Sequence, residues 1–252
     1  MRRALMISAA VAASLLLCPS VATAVDGDDL SADELAEQAK DNFLEAKSVH
    51  LRYTERSEAP SGDRTRPAAL DLALDQDGNC VGSLTMASGG GHVDLVKRGD
   101  QVWMKPDAAF WKAQLPGPQG NAAAELFKDR YVHGTTENDL LKGMAETCDL
   151  AEFQHEVEGE VTDEAELTKG AETTRDGTDV IPLSSTDDGK EHVLYVTSDE
   201  PHLLAEATEK SGSAGKETFI DLRFDDYDKP VPSKTPPPDE TVEVDRLQQL
   251  GA

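Results

Sequence analysis

The sequence predicts an α+β fold in which one antiparallel sheet carries helices on one face. Short segments that alternate apolar and polar residues lie within 49–105 and 169–224, and turns containing glycine and aspartate separate them, as in an antiparallel meander. Residues at helical spacing are confined to the start and the middle of the chain. Since a sheet of many strands curls, we expect a curved antiparallel sheet with helices covering its concave face and an apolar cavity between the two layers.

The N-terminus has the three zones of an export signal. Arg2 and Arg3 precede an uncharged run over 4–18, and Ala22-Thr23-Ala24 places small residues where signal peptidase requires them. The run is shorter than the roughly 20 apolar residues that a membrane-spanning helix needs. We therefore predict a signal peptide over 1–24, cleavage between Ala24 and Val25, and a function outside the cytoplasm.

Cys18 leaves a second possibility open for the N-terminus. A lipoprotein signal also ends at a cysteine, but it requires small residues just before it, whereas Leu15, Leu16 and Leu17 precede Cys18. We therefore favour free secretion over lipidation of Cys18. A lipid anchor would instead hold the protein at the outer face of the cytoplasmic membrane.

Cleavage leaves a short linker over 25–30, one domain over 31–245 and a C-terminal tail over 246–252. The formal net charge of the whole chain is −25, and the loss of Arg2 and Arg3 makes it −27. Charge of this sign repels nucleic acid and anionic lipid headgroups, and it favours a soluble monomer.

Two cysteines, Cys80 and Cys148, remain after cleavage, which is an even number in an oxidising compartment. We predict a disulfide between them, which would stabilise the fold by roughly 4 kcal/mol on the chain-entropy model. The rival interpretation, a reactive or metal-binding pair, lacks a CxxC motif or a cluster of cysteine and histidine.

Local patterns predict the elements of the first half. Ser31 with Glu34 matches a capping box, and an apolar stripe at helical spacing continues to about Lys47, which predicts a helix. Alternation of apolar and polar residues then predicts strands at 49–54, 70–74, 80–86, 92–97 and 101–105.

Periodicity changes in the middle of the chain and returns in the last third. Helical patterns predict helices at 122–131 and 139–153, and the acidic stretch 156–166 predicts a solvated edge. Alternation then predicts strands at 169–174, 179–183, 191–197, 203–209 and 217–224. The proline-rich segment 229–238 predicts an extended chain, followed by an acidic tail containing Val242 and Val244.

The sequence contains none of the common catalytic or metal-binding motifs. Its six histidines include no pair at helical spacing and no HExxH, and no GxSxG, Walker or dinucleotide-binding motif occurs. The tripeptide Arg98-Gly99-Asp100 has the form of an integrin-binding motif, but it lies at a predicted turn between two strands. We therefore predict that the protein is not an enzyme and that it needs neither a cofactor nor a metal.

Several segments, in this order, resemble one family of actinobacterial envelope proteins. The segment 98–105, with Phe110-Trp111 after it, resembles the family's gd-x-(V/W/Y)-x-K hairpin. The segment 199–204 resembles its x-P-x-x-L turn, and 224–231 resembles its closing F-x-D-Y-x-x-P-V. Over residues 31–245 the chain thus resembles the LppX/LprG lipoprotein carriers, whose half-barrel fold is shared with LolA and LolB.

The resemblance implies a carrier that holds acyl chains between a half-barrel sheet and its covering helices, in the cell envelope. The predicted ligand-binding residues are positions that alternation places on one side of the sheet: Leu72, Leu74, Met86, Val93, Leu95, Met104 and Tyr195. Plain core packing predicts the same pattern, because alternation does not distinguish a cavity wall from a filled core. The alternative function is an envelope sensor or protein-interaction module, with 156–166 as its contact surface.

Overall fold

The computed structural model describes residues 29–57, 62–115, 117–160 and 166–246. Within these ranges the chain forms one sheet and five α-helices. The predicted signal peptide, Cys18, the cleavage site at Ala24 and Val25, and residues 247–252 lie outside the described residues.

The first helix, α1 (Ala32–Glu45), begins at the predicted capping box. The Ser31 hydroxyl accepts a hydrogen bond from the Glu34 amide at 3.2 Å, and the Ser31 amide donates to the Glu34 carboxylate at 2.8 Å. These two bonds satisfy amide groups that a helix start otherwise leaves without partners. Leu35, Ala39 and Phe43 are buried on the face that packs on the sheet.

The sheet contains all thirteen strands of the described residues. They are β1 (Ser48–Ser57), β2 (Pro67–Asp75), β3 (Cys80–Met86), β4 (His92–Arg98), β5 (Gln101–Pro106), β6 (Tyr131–Thr135), β7 (Thr168–Lys169), β8 (Thr173–Arg175), β9 (Thr178–Asp187), β10 (Lys190–Thr197), β11 (Leu204–Ser211), β12 (Thr218–Asp225) and β13 (Thr241–Glu243). Their order is β13-β6-β5-β4-β3-β2-β1-β12-β11-β10-β9-β7, and β8 pairs with β9 beside β7. The sheet is open, and all its pairs are antiparallel except β13 with β6.

The remaining helices are α2 (Ala108–Gln114), α3 (Pro118–Leu126), α4 (Asp139–Glu146) and α5 (Leu150–Glu160). The predicted helix at 122–131 is wrong in its second half. The chain leaves α3 at Phe127, whose ring stacks on Trp111 at a centroid distance of 5.2 Å, and Asp129 adopts a φ of 57°. Residues 132–135 then pair with β5, a long-range contact that local periodicity does not reveal.

Two other predicted elements are divided. The helix predicted at 139–153 is interrupted between α4 and α5, where the Asp149 carboxylate accepts a hydrogen bond from the Glu152 amide at 3.0 Å. The strand predicted at 169–174 consists of two short pieces, β7 and β8. The acidic stretch 156–166 begins as the last part of α5, and residues 161–165 lie outside the described ranges.

The predicted disulfide between Cys80 and Cys148 is present, with its Cα atoms 5.6 Å apart. It joins the segment between α4 and α5 to the start of β3. Both cysteines are fully buried, so the link lies inside the apolar core.

Buried side chains form two clusters on the helix-side face of the sheet. The larger cluster joins strands β1 to β6 and β12 with residues of all five helices. The smaller cluster places Leu35 and Ala39 of α1 on Ile181, Leu183 and Val196. Leu204 of β11 is partly buried and packs against both clusters.

Candidate functional site

Six of the seven predicted ligand-binding residues lie within the larger cluster. Leu72, Val93, Leu95 and Met104 are 0% exposed, Leu74 is 1% exposed and Met86 is 2% exposed. The helices contribute large buried side chains to the same cluster: Phe110, Trp111, Phe127 and Leu141. Over these six positions the space between sheet and helices is therefore occupied by the protein's own side chains.

Tyr195 lies on the opposite face of the sheet, so the prediction that all seven residues share one side is wrong at this position. Its neighbour Val196 is the residue that is buried under α1, and successive side chains in a strand point to opposite faces. Tyr195 is registered opposite Glu206, and the Arg175 guanidinium lies 4.7 Å from the centre of its ring.

The face of the sheet on which the helices pack also carries one continuous row of residues that are only half-buried. Leu70, Tyr53, Leu222, Ala207 and Leu194 are direct cross-strand neighbours on β2, β1, β12, β11 and β10. We call these five residues the apolar row. With adjacent strands about 4.8 Å apart, the row is about 19 Å long.

The ends of the apolar row are anchored in the two clusters. Leu70 is registered opposite Leu84 of the larger cluster, and Leu194 opposite Leu183 of the smaller one, and both partners are 0% exposed. All five residues of the row retain partial exposure. The row is thus an apolar surface between two filled regions.

A polar group lies near the Leu70 end of the row. The Tyr53 hydroxyl donates to the Glu55 carboxylate at 3.0 Å, and Glu55 forms a two-point ion pair with Arg66, one contact of which is 2.7 Å. Burial, together with the hydrogen bond to Glu55, raises the pKa of Tyr53 to about 12, whereas the hydrogen bonds from Arg66 lower the pKa of Glu55. The phenol is therefore neutral at physiological pH, and the carboxylate is ionised.

The opposite face of the sheet is charged and largely self-paired. Glu206 is 3% exposed, and its carboxylate accepts a hydrogen bond from the Arg175 guanidinium at 3.0 Å. A guanidinium nitrogen of Arg223 lies 3.8 Å from the same carboxylate. Arg223 also pairs with Asp176 and Asp221. Burial of Asp221 and the nearby charge of Glu206 raise the pKa of Asp221.

One group on this opposite face has the composition of a metal site. His50, Asp225 and Asp226 offer ligand atoms within 4.8 Å of one another. Both ring nitrogens of His50 are already hydrogen-bonded, to Asp225 at 2.9 Å and to Asp71 at 2.7 Å. Arg52 pairs with Asp225 and Lys229 with Asp226, so the carboxylates are neutralised by the chain's own cations. This arrangement favours an internal ion-pair network over a bound metal ion.

Sequence reasoning missed the apolar row as a unit. Leu70 and Leu194 lie in predicted strands, and alternation alone places each on one of two faces. The row depends on which residues stand side by side on five strands, and the sequence carries no local signal for that register.

No family model and no curated protein sequence matches the chain. Solved structures do match it. The lipoprotein LppX of Mycobacterium tuberculosis aligns with a TM-score of 0.50 and 13% identity, over 81% of this chain and 98% of LppX. LprF of Mycobacterium bovis aligns with a TM-score of 0.52 and 13% identity, over 81% of this chain and 96% of LprF. The chain therefore has the LppX-type fold that the sequence resemblance implies.

The helices of the described residues fall short of the length and apolar character that a membrane crossing requires.

Proposed function

We propose that the protein is an exported, non-enzymatic binder or carrier of a lipid or another hydrophobic ligand in the cell envelope. The observation that carries this proposal is the apolar row, whose five side chains stay half-buried although both of its ends continue into filled core. Apolar side chains that keep partial access to water side by side can still lose apolar surface to a bound ligand, which favours binding.

The driving force is the removal of apolar surface from water, which contributes about 25 cal/mol per Å² on each side of the contact. An extended acyl chain lying along the row would cover Leu70, Leu222 and Leu194 in one step. Its polar end would find hydrogen-bonding groups beside the row at Tyr53 and the Glu55–Arg66 pair.

The ligand region that we propose differs from the one the sequence predicts. The six buried positions, which include Leu72 and Met104, could contact a ligand only after α2, α3 and α4 moved away from the sheet. The Cys80–Cys148 disulfide opposes such a movement, because it holds the end of α4 against β3. The apolar row needs no such movement, so we assign the first contact to the row.

The export signal in the sequence supports a location outside the cytoplasm. The shared fold with LppX, which is described as a lipoprotein, is compatible with either a free or an anchored form. Intact-mass measurement of the exported protein distinguishes a start at Val25 from an acylated Cys18.

The test is organic-solvent extraction of purified exported protein, followed by mass spectrometry, together with titration of a fluorescent fatty-acid probe. We expect an apolar molecule at close to one equivalent, or saturable binding of the probe. Leu222→Ser should weaken probe binding by about tenfold, because a leucine side chain contributes about 1.5–3 kcal/mol when it is fully buried.

Phe219→Ser is the matched control, since Phe219 lies three residues away on the same strand, is 41% exposed and faces the opposite side of the sheet. It should leave probe binding unchanged. Extracts that repeatedly contain no lipid, combined with no saturable binding of the probe, would refute the proposal.

A second candidate function, an envelope sensor or protein-interaction module, is favoured by the filled region between the helices and β2 to β5. A partner protein needs only surface, whereas a carrier needs space, and six predicted cavity residues are at most 2% exposed. Recovery of one partner in cross-linking, from protein that contains no lipid, would favour this second function.

A further inference from the structure

One side of the apolar row is filled by the core. Two residues away on the same strands, Leu51, Leu72 and Phe224 are at most 7% exposed. The rings of Phe43 and Phe153, from α1 and α5, pack on the ring of Phe224 at centroid distances of 5.2 Å and 6.1 Å. A ligand in the apolar row therefore finds no free apolar surface on this side.

The other side of the apolar row is charged. Two residues away in that direction, four of the same strands carry a second line of direct neighbours, which we call the rim row: Glu55, Ile220, Glu209 and His192. Arg66 pairs with Glu55, and the Lys190 ammonium lies 3.3 Å from the Glu209 carboxylate. The side chains of these two ion pairs are between 13% and 49% exposed. A hydrocarbon chain that covered them would take charges out of water, which is unfavourable.

The free apolar surface is therefore a narrow slot. Positions two residues apart in a strand are about 7 Å apart, so the slot is about that wide between the core and the rim row. Carbon atoms of packed groups lie about 4 Å apart. The slot consequently has room for one hydrocarbon chain, and a second chain beside it would lie on the ion pairs of the rim row.

The slot is also closed at both ends. Leu84 lies directly beyond Leu70, and Leu183 lies directly beyond Leu194, and both are 0% exposed. A chain that fills the row cannot continue along the same face of the sheet. The free length of about 19 Å is close to the length of an extended hexadecanoyl chain.

We propose that the ligand of the apolar row is an amphiphile with a single unbranched hydrocarbon chain, up to about the length of a hexadecanoyl group. This inference rests on the proposed function and narrows its ligand class. The width of the slot excludes a second chain, and the filled ends limit the length of the first. A lipid with two or three acyl chains would leave all but one of them outside the slot.

The test is displacement of the fluorescent fatty-acid probe from the full exported protein by saturated fatty acids from decanoate to icosanoate, each below its critical micelle concentration. Up to hexadecanoate, each added CH2 group should tighten binding by up to about fourfold, because it buries further apolar surface. From hexadecanoate to icosanoate the affinity should stay within about twofold, because the added carbon atoms lie outside the slot.

A branched isomer tests the width of the slot. Hexadecanoate and 2-hexyldecanoate have the same carboxylate and the same number of carbon atoms, but the second has two shorter chains. We expect 2-hexyldecanoate to bind at least about tenfold more weakly, because only one of its chains enters the slot.

Two variants shorten the slot from opposite ends. In Leu194→Ser and in Leu70→Ser, the longest chain that still gains affinity should fall from hexadecanoate to about dodecanoate, because the row loses one strand spacing of about 4.8 Å. Using both ends keeps the test valid if one variant fails to fold. Val193→Ser is the matched control, since Val193 is the half-buried neighbour of Leu194 on β10 and faces the opposite side of the sheet. It should leave the limit at hexadecanoate.

Three results would overturn the single-chain slot while leaving the proposed function intact. They are affinity that keeps rising at the same rate to icosanoate, equal binding of the two isomers, and an unchanged length limit in the folded Leu194→Ser or Leu70→Ser variant. Absence of saturable probe binding would instead refute the proposed function itself.

Discussion

Replacing Cys80 and Cys148 together by alanine tests how strongly the helices depend on their covalent link to the sheet. The two cysteines are 68 residues apart in the chain, and both are fully buried. On the chain-entropy model, opening a loop of this length lowers the free energy of unfolding by about 4 kcal/mol. The two alanines also remove buried sulfur atoms, which adds roughly 1 kcal/mol for the space they leave.

Urea unfolding, followed by tryptophan fluorescence, to which the buried Trp111 contributes, measures this loss directly. We expect the variant to lose about 5 kcal/mol and to show a steeper dependence on urea, because its unfolded chain is less compact. The unaltered protein with a reduced disulfide serves as a control, since it loses the crosslink but keeps both sulfur atoms. A loss below about 1 kcal/mol, with the same slope, would refute the reasoning and mean that the linked segment unfolds before the sheet.

Three further predictions concern packing, charge and pH. Phe43→Ala removes a fully buried ring that packs edge-on against two other phenylalanines, so the free energy of unfolding in urea should fall by about 4 kcal/mol, and a loss under 1 kcal/mol would contradict this packing. Glu206→Gln leaves two arginines without their buried partner and should lower the free energy of unfolding by about 2 kcal/mol. The loss is smaller than for a fully buried pair because the arginines are partly exposed. Glu191→Gln is the control and should leave the free energy of unfolding unchanged. Burial alone would lower the pKa of His50, but its hydrogen bonds to two aspartates raise the pKa above the ordinary value. The stabilisation by protonated His50 is therefore complete below about pH 6.5 and is lost as the pH rises through the raised pKa. His50→Gln should for this reason destabilise the protein more at acidic than at alkaline pH. Equal destabilisation at both pH values would contradict the pairing.

The sequence predicts well those elements whose signals are local. The capping box at Ser31 places the start of α1, and alternation between two turns places β3 at Cys80–Met86 as predicted. The pairing of Cys80 with Cys148, which the structure contains, is predicted from the even number of cysteines left after the predicted cleavage and from the oxidising compartment that the predicted signal peptide implies. In each case a few adjacent residues, or a simple count, carry the information.

The sequence does not reveal features that depend on register or on distant pairing. Tyr195 lies in a segment that alternates as a strand should, but the alternation does not say which of its residues face the helices. In the structure Tyr195 lies opposite Glu206 on the face away from the helices. Residues 127–131 continue the helical pattern of the sequence, but the chain leaves α3 at Phe127, and β13 and β5 pair with the strand that begins at Tyr131. The apolar row requires the alignment of five strands, and no window of the sequence contains it.

The pairing of β13 with β6 affects the order in which the sheet can be completed. Thr241 pairs with Tyr131, and Val244 is buried in the larger cluster. While the chain is still being synthesised, the free edge of β6 has unpaired backbone groups that another polypeptide can join. A shortened product that stops before Thr241 would keep that edge open permanently, so we expect it to self-associate even though most of its strands are intact.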